Sequence, residues 1–503
     1  MTAGVEVERE KNPVRDEFRT VGRHTVVYGT GVILGKLASF LMLPIYTRFL
    51  STADYGVLEL LAMTIDVISM IAGIGLAGGV FKFYAEFDKA KDRREVMSTV
   101  ALGTLGLSMC TALAGFAFAE QINGLVFPDG GNPQYFRIFF LIYFFQSAGA
   151  PAMLLLRIQE RSTAFVAVNL AKLLFSLSLN IYFVVVRGLG VPGVLYANLI
   201  VSATTAVVLS AYTFSQVGFS FSMPKFRQMS RFGAPLVVVS VSSFILTFSD
   251  RYFLNYFAST SDVGIYALAY RFSFVLSALT VMPFQQVWEP RRFDIARKPE
   301  AGAIYRRMFF YYSLALLGGG TVMVALIKDF LTIMAAPEFL PAYRVVPLIV
   351  VVTVIQQWTT YSNLGLYLRN RTSLLAWASL TAVAVALTLN WLLIPRFGIF
   401  GAAWATVGAY VIRFGIIYAL SQAHYRIDYP WGKVSVLGAT FLLVCVVRLS
   451  ISPASLTLSL MLSLGLAAVA LTFIYLQLLS RSERATIIGT LGRVRLRRAL
   501  STQ

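Results

Sequence analysis

The feature that most constrains this chain is a succession of uncharged apolar runs, each about as long as a bilayer is thick. A helix needs roughly 20 apolar residues to cross ~30 Å of hydrocarbon, and runs of that kind recur from residue 24 to residue 479. They are continuous, unlike the alternating ten-residue segments of a transmembrane β-barrel. Composition agrees, because 57% of the 503 residues are hydrophobic and only 13% are charged, about half the charge of an ordinary soluble surface. The chain is predicted to be an all-α integral membrane protein. Its fourteen expected spans are 24–46, 57–80, 96–119, 135–156, 164–186, 192–213, 232–256, 263–288, 308–328, 343–366, 373–394, 399–420, 434–450 and 457–479.

An even number of spans puts both termini on one side, and the basic residues say which. Of the 43 Lys and Arg, 31 fall on the side that holds the charged segment 1–23, the loops 82–94 and 291–307, and the tail 481–498. Five (Arg48, Arg187, Lys328, Arg344 and Arg396) fall on the other side. The positive-inside rule makes the rich side cytoplasmic. The net charge of +19 is therefore a record of topology, scattered over short loops, and argues against nucleic acid as a partner. Residues 1–23 lack the apolar core of a signal peptide, so the first span is expected to act as the insertion signal. In the tail, Ile487, Ile488, Leu491, Val494 and Leu496 interleave with arginines, a pattern that suits an interfacial helix on anionic lipid or a basic tail that fixes topology. Cys110 and Cys445 lie in apolar runs and read as small buried hydrophobes.

The chain repeats itself. Phe49–Gly56 (FLSTADYG) recurs as Phe257–Gly264 (FASTSDVG), and Gly190–Ala197 recurs as Gly398–Ala405, both at an offset of 208 residues. Arg161-Ser162 with Leu179-Asn180 recurs as Arg371-Thr372 with Leu389-Asn390, at an offset of 210. Six spans per copy give the two copies the same orientation, related by an axis along the membrane normal. The expected organisation is a cytoplasmic tail (1–23), a six-helix lobe (24–213), a linker (214–231) and a second six-helix lobe (232–420). Two extra helices (434–479) and a basic tail (480–503) follow. In the first motif the Ser/Thr and Asp are expected to cap a helix and the glycine to relieve the turn before it. Gly190 and Gly398 are expected to sit in tight outward turns.

Ionisable groups inside spans cost at least ~2.5–3.5 kcal/mol each on insertion scales, so each asks for a reason. Lys36, Asp66, Lys172, Arg271 and Arg413 lie at mid-depth; Arg137, Asp250, Arg251 and Arg448 lie nearer the outer face, where snorkelling or interfacial pairing accounts for them. Lys36 and Asp66 sit at similar depth and are matched for pairing. The other deep cations outnumber the deep carboxylates, which points to a hydrated cavity that receives an anion. They also break the 208-residue symmetry that the capping motifs obey, as a site for an asymmetric ligand would. No outward loop has room for a catalytic domain, and His24 and His424 have no acid–base partner in view. No phosphate-binding glycine loop or metal-ligand spacing is present. An enzyme is not expected.

The segment Leu43–Leu50 (LPIYTRFL) followed by Ser51–Gly56 (STADYG), with its echo in the second half and the Gly-Ala-Ala turn at 401–403, resembles the polysaccharide-transport and O-antigen flippase family. That family belongs to the multidrug/oligosaccharidyl-lipid/polysaccharide exporter superfamily. The resemblance covers roughly residues 20–425. It implies a carrier of undecaprenyl-pyrophosphate-linked oligosaccharide, working from the inner to the outer leaflet of a bacterial cytoplasmic membrane by alternating access. The ion gradient implied is of H⁺ or Na⁺, with no other cofactor. The implied partners are membrane lipids and polysaccharide polymerase machinery. By helix and depth, Lys36 and Arg271 match cavity cations of the related murein-precursor flippases, and Lys172, Arg413 and Arg251 complete the expected substrate-binding set. Asp66, then Asp250, are the expected ion-coupling carboxylates. The rival readings are a multidrug exporter of the same superfamily, whose cavity would be acidic, and a membrane polysaccharide polymerase or ligase.

Overall fold

The structure, a computed structural model, describes residues 42–484 apart from 74–75, 452, 454 and 482. Among the described residues there is no strand. The helices are α1 (Leu43–Phe49), α2 (Thr52–Ala72), α3 (Leu76–Glu86), α4 (Ala90–Ala117), α5 (Ala119–Val126), α6 (Pro133–Ile158), α7 (Ser162–Asn180), α8 (Gly190–Val217) and α9 (Met223–Phe257). They continue as α10 (Thr260–Leu276), α11 (Met282–Ile295), α12 (Ala301–Met334), α13 (Ala342–Ser362), α14 (Leu364–Leu368), α15 (Thr372–His424), α16 (Trp431–Ser450) and α17 (Leu456–Leu478). Twelve helical stretches among the described residues are long and apolar enough to cross a membrane.

The expected count of fourteen is not reached among the described residues, for identifiable reasons. Most of span 24–46, with Lys36, lies outside them. Spans 373–394 and 399–420 are both present within α15, whose 53 residues are two helices meeting at a kink where Gly398 leaves helical geometry at φ 52° and ψ −128°, a conformation that a side chain would strain. Span 57–80 is interrupted instead: α2 stops at Ala72, Gly73 forms a turn, and α3 resumes at Leu76. The other expected spans each have a helix. Local chemistry sets their ends. At the Pro128–Pro133 turn, the Asn132 side chain accepts from the Gln134 N–H at 3.0 Å and Pro133 opens α6, a polar N-cap followed by a residue that needs no donor.

The chain divides into two compact units. One runs to Leu50 and resumes over Val57–Phe244; the other takes Ser51–Gly56 and everything from Ile245. In the first, α4, α6 and α8 pack together, and a core of Leu76, Val80, Val96, Met97, Leu155 and Met229 joins α3, α4, α6 and α9. In the second, α13 packs on α15 through Val352, Ile355, Ala382, Ala386 and Tyr410. The two extra helices α16 and α17 pack on α12 through Ala325, Val444, Ala467 and Ala470.

The repeat is visible as geometry. Ser51 and Asp54 form a reciprocal cap: the Asp54 N–H donates to Ser51 Oγ at 3.1 Å, and Ser51 N–H and Oγ donate to Asp54 Oδ2 at 3.1 and 2.8 Å. Ser259 and Asp262 repeat it at 3.1 and 2.8 Å, a capping box with Asp in the acceptor role. The motif glycine does something other than relieve a turn. Gly56 and Gly264 lie inside α2 and α10, where a Cβ on Gly56 would fall 2.0 Å from the Thr260 carbonyl oxygen and one on Gly264 would fall 2.0 Å from that of Thr52. Two helices cross with their backbones touching, as small residues four apart permit in membranes. Gly190 and Gly398 share the positive φ expected of tight turns, at 59° and 52°, and Asn180 and Asn390 are both buried. Cys445 is buried as expected, but Cys110 is exposed on α4, because hydropathy alone does not say which face of an apolar helix turns inward.

Candidate functional site

In the first unit Lys172 is placed by helical periodicity. Phe165, Val168, Asn169 and Lys172 stand at i, i+3, i+4 and i+7 of α7 and share one face. That face lines a cavity of about 420 Å³ whose other walls are Gln146, Gly149 and Arg157 of α6 and Thr205 and Leu209 of α8. Gly149 packs beside Leu209 and Ala206, where a Cβ would make ordinary van der Waals contact at 3.5 and 3.6 Å. The cavity carries two cations, Lys172 and Arg157, and no carboxylate lines it. Neither cation has an ion-pair partner among the described residues. The Arg157 guanidinium stands 5.6 Å from the centre of the Phe81 ring. Gln146, Asn169 and Thr205 add neutral polar groups, so the lining suits an anion with hydroxyl or amide substituents. Sequence reasoning missed Arg157, which falls one residue beyond the expected span.

The second unit treats its charges differently. Arg251 is fully buried and Asp250 nearly so. Arg251 Nη1 donates to Asp250 Oδ1 at 2.8 Å and to the Thr247 carbonyl at 2.9 Å, and its guanidinium stacks 3.9 Å from the Tyr270 ring centre. Asp250 Oδ2 accepts from Tyr266 Oη at 2.7 Å and from Thr406 Oγ1 at 3.1 Å. The pair ties α9, α10 and α15 together. Arg448, buried on α16, donates through Nη2 to Asp329 Oδ1 of α12 at 2.6 Å and to Ser459 Oγ of α17 at 2.8 Å. Ser459 and Ser463 of α17 also donate to the Asp329 carboxylate. Sequence reasoning missed Asp329, one residue past the end of a span and 119 residues from its partner.

The remaining expected residues are spread out. Arg413 is half-buried on α15, with no ion-pair partner and an unbonded buried Nε among the described residues. Arg271 is exposed on α10 and Asp66 is exposed on α2. Lys36 lies outside the described residues, so its pairing with Asp66 is not described either. Arg137 meets Glu120 at 3.0 Å, the interfacial pairing expected for it. His424 ends α15 with Nδ1 2.8 Å from the Leu420 carbonyl oxygen. Among the described residues, no group of three or more His, Cys, Asp or Glu is placed to hold a metal ion.

These features define a polytopic helical protein with the architecture shared by solved lipid flippases and multidrug transporters. A solved structure of the lipid II flippase MurJ, in an inward closed conformation, superposes with a TM-score of 0.72 over 90% of this chain and 99% of that one, at 12% identity. The MATE multidrug transporter DinF-BH superposes with a TM-score of 0.58 over 81% and 96%, at 16% identity. Residues 21–296 match the family described as polysaccharide biosynthesis protein, and the chain belongs to that family. Among curated relatives, the probable low-salt glycan biosynthesis flippase Agl15 of Haloferax volcanii is 22% identical over 403 residues, 78% of this chain and 80% of that protein. The succinoglycan biosynthesis transport protein ExoT of Rhizobium meliloti is 26% identical over 268 residues, about half of each chain.

Proposed function

We propose that this protein is a flippase for glycan precursors. Its cargo is an undecaprenyl-pyrophosphate-linked oligosaccharide, carried from the inner to the outer leaflet of the bacterial cytoplasmic membrane by alternating access coupled to H⁺ or Na⁺. Both termini face the cytoplasm in this reading. The observation that carries it is the cavity of the first unit, where Lys172 and Arg157 stand with no carboxylate in the lining. A pyrophosphate bearing sugars crosses hydrocarbon only if its charge is matched on the way. A bundle that keeps Lys172 unmatched within a span, at an insertion cost of about 2.5–3.5 kcal/mol, recovers that cost when the anion arrives.

Lys172 is the first phosphate contact, with Arg413, Arg271 and Lys36 as further cations along the route. Arg251 contributes least to the cargo, since Asp250 already matches its charge. Asp66, exposed on its helix, is the ion-coupling carboxylate. Asp250 is second, because binding an ion there requires giving up Arg251 or Tyr266. The family membership and the names of the relatives support a glycan cargo over a small cationic drug, which would favour acidic walls. Leaflet translocation of a lipid-linked oligosaccharide in reconstituted vesicles tests the proposal. Wild type is expected to translocate, and Lys172→Gln to lose at least about tenfold in rate, the equivalent of one charge-assisted contact. Export of small cations by a wild type inert on every lipid-linked glycan would overturn it.

A further inference from the structure

A second basic cavity lies in the first unit, apart from the Lys172 cavity, where the end of α3 meets the start of α9. It has a volume of about 880 Å³ and opens widely to the surface. Its charged lining is Lys82 and Glu86 from α3 and Arg227 and Arg231 from α9, three cations against one carboxylate. Lys82 and Glu86 pair at 3.7 Å, both about half exposed, and the Lys82 ammonium rests 4.8 Å from the centre of the Phe232 ring. Arg227 and Arg231 are exposed and have no ion-pair partner among the described residues. Four residues apart, they present two guanidiniums on one helix face, where like charges repel. The Ser230 hydroxyl, which also lines the cavity, is buried and without a hydrogen-bond partner among the described residues.

We infer that this cavity binds the phosphate headgroup of a membrane amphiphile, between the Arg227 and Arg231 guanidiniums with the Ser230 hydroxyl as donor. Two planar forks match phosphate oxygens in a way that a single ammonium does not. Relief of their mutual repulsion adds to the binding. The Phe83 and Phe232 rings, packed edge to face at 5.8 Å, give the part of the ligand beyond the phosphate an apolar wall. The cavity lies on the side where basic residues concentrate, so the headgroup comes from the cytoplasmic leaflet. The phosphate is that of a polyprenyl-pyrophosphate glycan or of an anionic phospholipid; only the former alternative rests on the proposed function.

The test is thermal unfolding of the full-length protein in zwitterionic detergent, titrated with geranylgeranyl pyrophosphate, phosphatidylglycerol, inorganic pyrophosphate or phosphatidylcholine. At least one anionic probe is expected to raise the unfolding temperature saturably, and phosphatidylcholine is not. Arg227→Gln/Arg231→Gln is expected to weaken that response by roughly tenfold or more, while Arg187→Gln, at an exposed arginine on the opposite side, preserves it. A response to geranylgeranyl pyrophosphate alone assigns the site to the glycan carrier lipid. One to phosphatidylglycerol assigns it to phospholipid, and an equal one to inorganic pyrophosphate assigns it to the phosphate group itself. No response to any anionic probe, an unchanged response in the double variant, or an equal loss in Arg187→Gln overturns the inference. Because both arginines are exposed, the double variant is expected to keep wild-type elution and unfolding temperature without ligand. Failure of wild type to translocate any glycan would sink the proposed function and leave this binding result standing.

Discussion

The fully buried arginines of the second unit and the cavity-lining cations of the first are handled in opposite ways. In the second, Arg251 and Arg448 are buried and each is locked to a carboxylate and further hydrogen bonds, on Asp250 and Asp329. In the first, Lys172 and Arg157 line a cavity without an acid, and Arg227 and Arg231 line another whose one carboxylate, Glu86, pairs with Lys82. Buried ions that are matched internally act as fasteners, since breaking one leaves its partner stranded. Ions left unmatched beside a cavity add little to stability and are available to a ligand. The difference separates scaffold from candidate site more clearly than depth in the membrane does.

The comparison can be broken most forcefully at Arg448. Arg448→Ala leaves Asp329 buried without its cation and is expected to cost about 3–5 kcal/mol, read as a large fall in unfolding temperature in detergent. A double change of Arg448→Met and Asp329→Leu should recover much of it. Next come the crossing glycines. Gly56→Ala and Gly264→Ala each drive a methyl group into a carbonyl oxygen that cannot move alone. Each should lose about 1–3 kcal/mol, and the two losses should be similar because the contacts are equivalent. Lys172→Gln should shift stability by no more than about 0.5 kcal/mol while slowing glycan translocation at least about tenfold; a large loss of stability would make Lys172 a fastener and erase the contrast.

The smallest effect concerns Glu483, beyond the last span. Hydrogen bonds from the Tyr311 hydroxyl and the Ser480 N–H, with Arg307 nearby, hold its carboxyl down to about 2 from an ordinary 4.5. A depressed folded value means that its stabilisation is complete above about pH 4.5 and is lost as pH falls from there to about 2. Unfolding temperature should therefore be indifferent to this group between pH 8 and 6. Below pH 4.5 it should fall slightly more in wild type than in Glu483→Gln.

The helices and the repeat were legible in the sequence because both depend on local pattern. Uninterrupted hydropathy marks a span, and a Ser-x-x-Asp cap works within one turn. Glycine at 56 and 264 was legible as a repeat and misread as a turn, since close approach to a distant backbone leaves no local trace. The same limit hid the ion pairs. Asp250 and Arg251 are neighbours, yet the Tyr266 and Thr406 hydroxyls that complete their site come from two other helices. Arg448 and Asp329 meet across 119 residues. Lys172 was singled out by its charge alone; that Arg157 shares its cavity depends on the packing of α6 against α7, which hydropathy does not encode. The break at Gly398 was legible too, because a glycine between two apolar runs marks where helical geometry is interrupted.

The crossing of α2 and α10 ties the two copies of the motif to each other. Thr52 touches Gly264 and Thr260 touches Gly56, and a shift of 208 residues exchanges the two contacts. That is the signature of an isologous joint, in which i meets j and j meets i. Each motif glycine is kept bare by the carbonyl of the other copy, so a side chain gained at either position displaces the backbone of its counterpart.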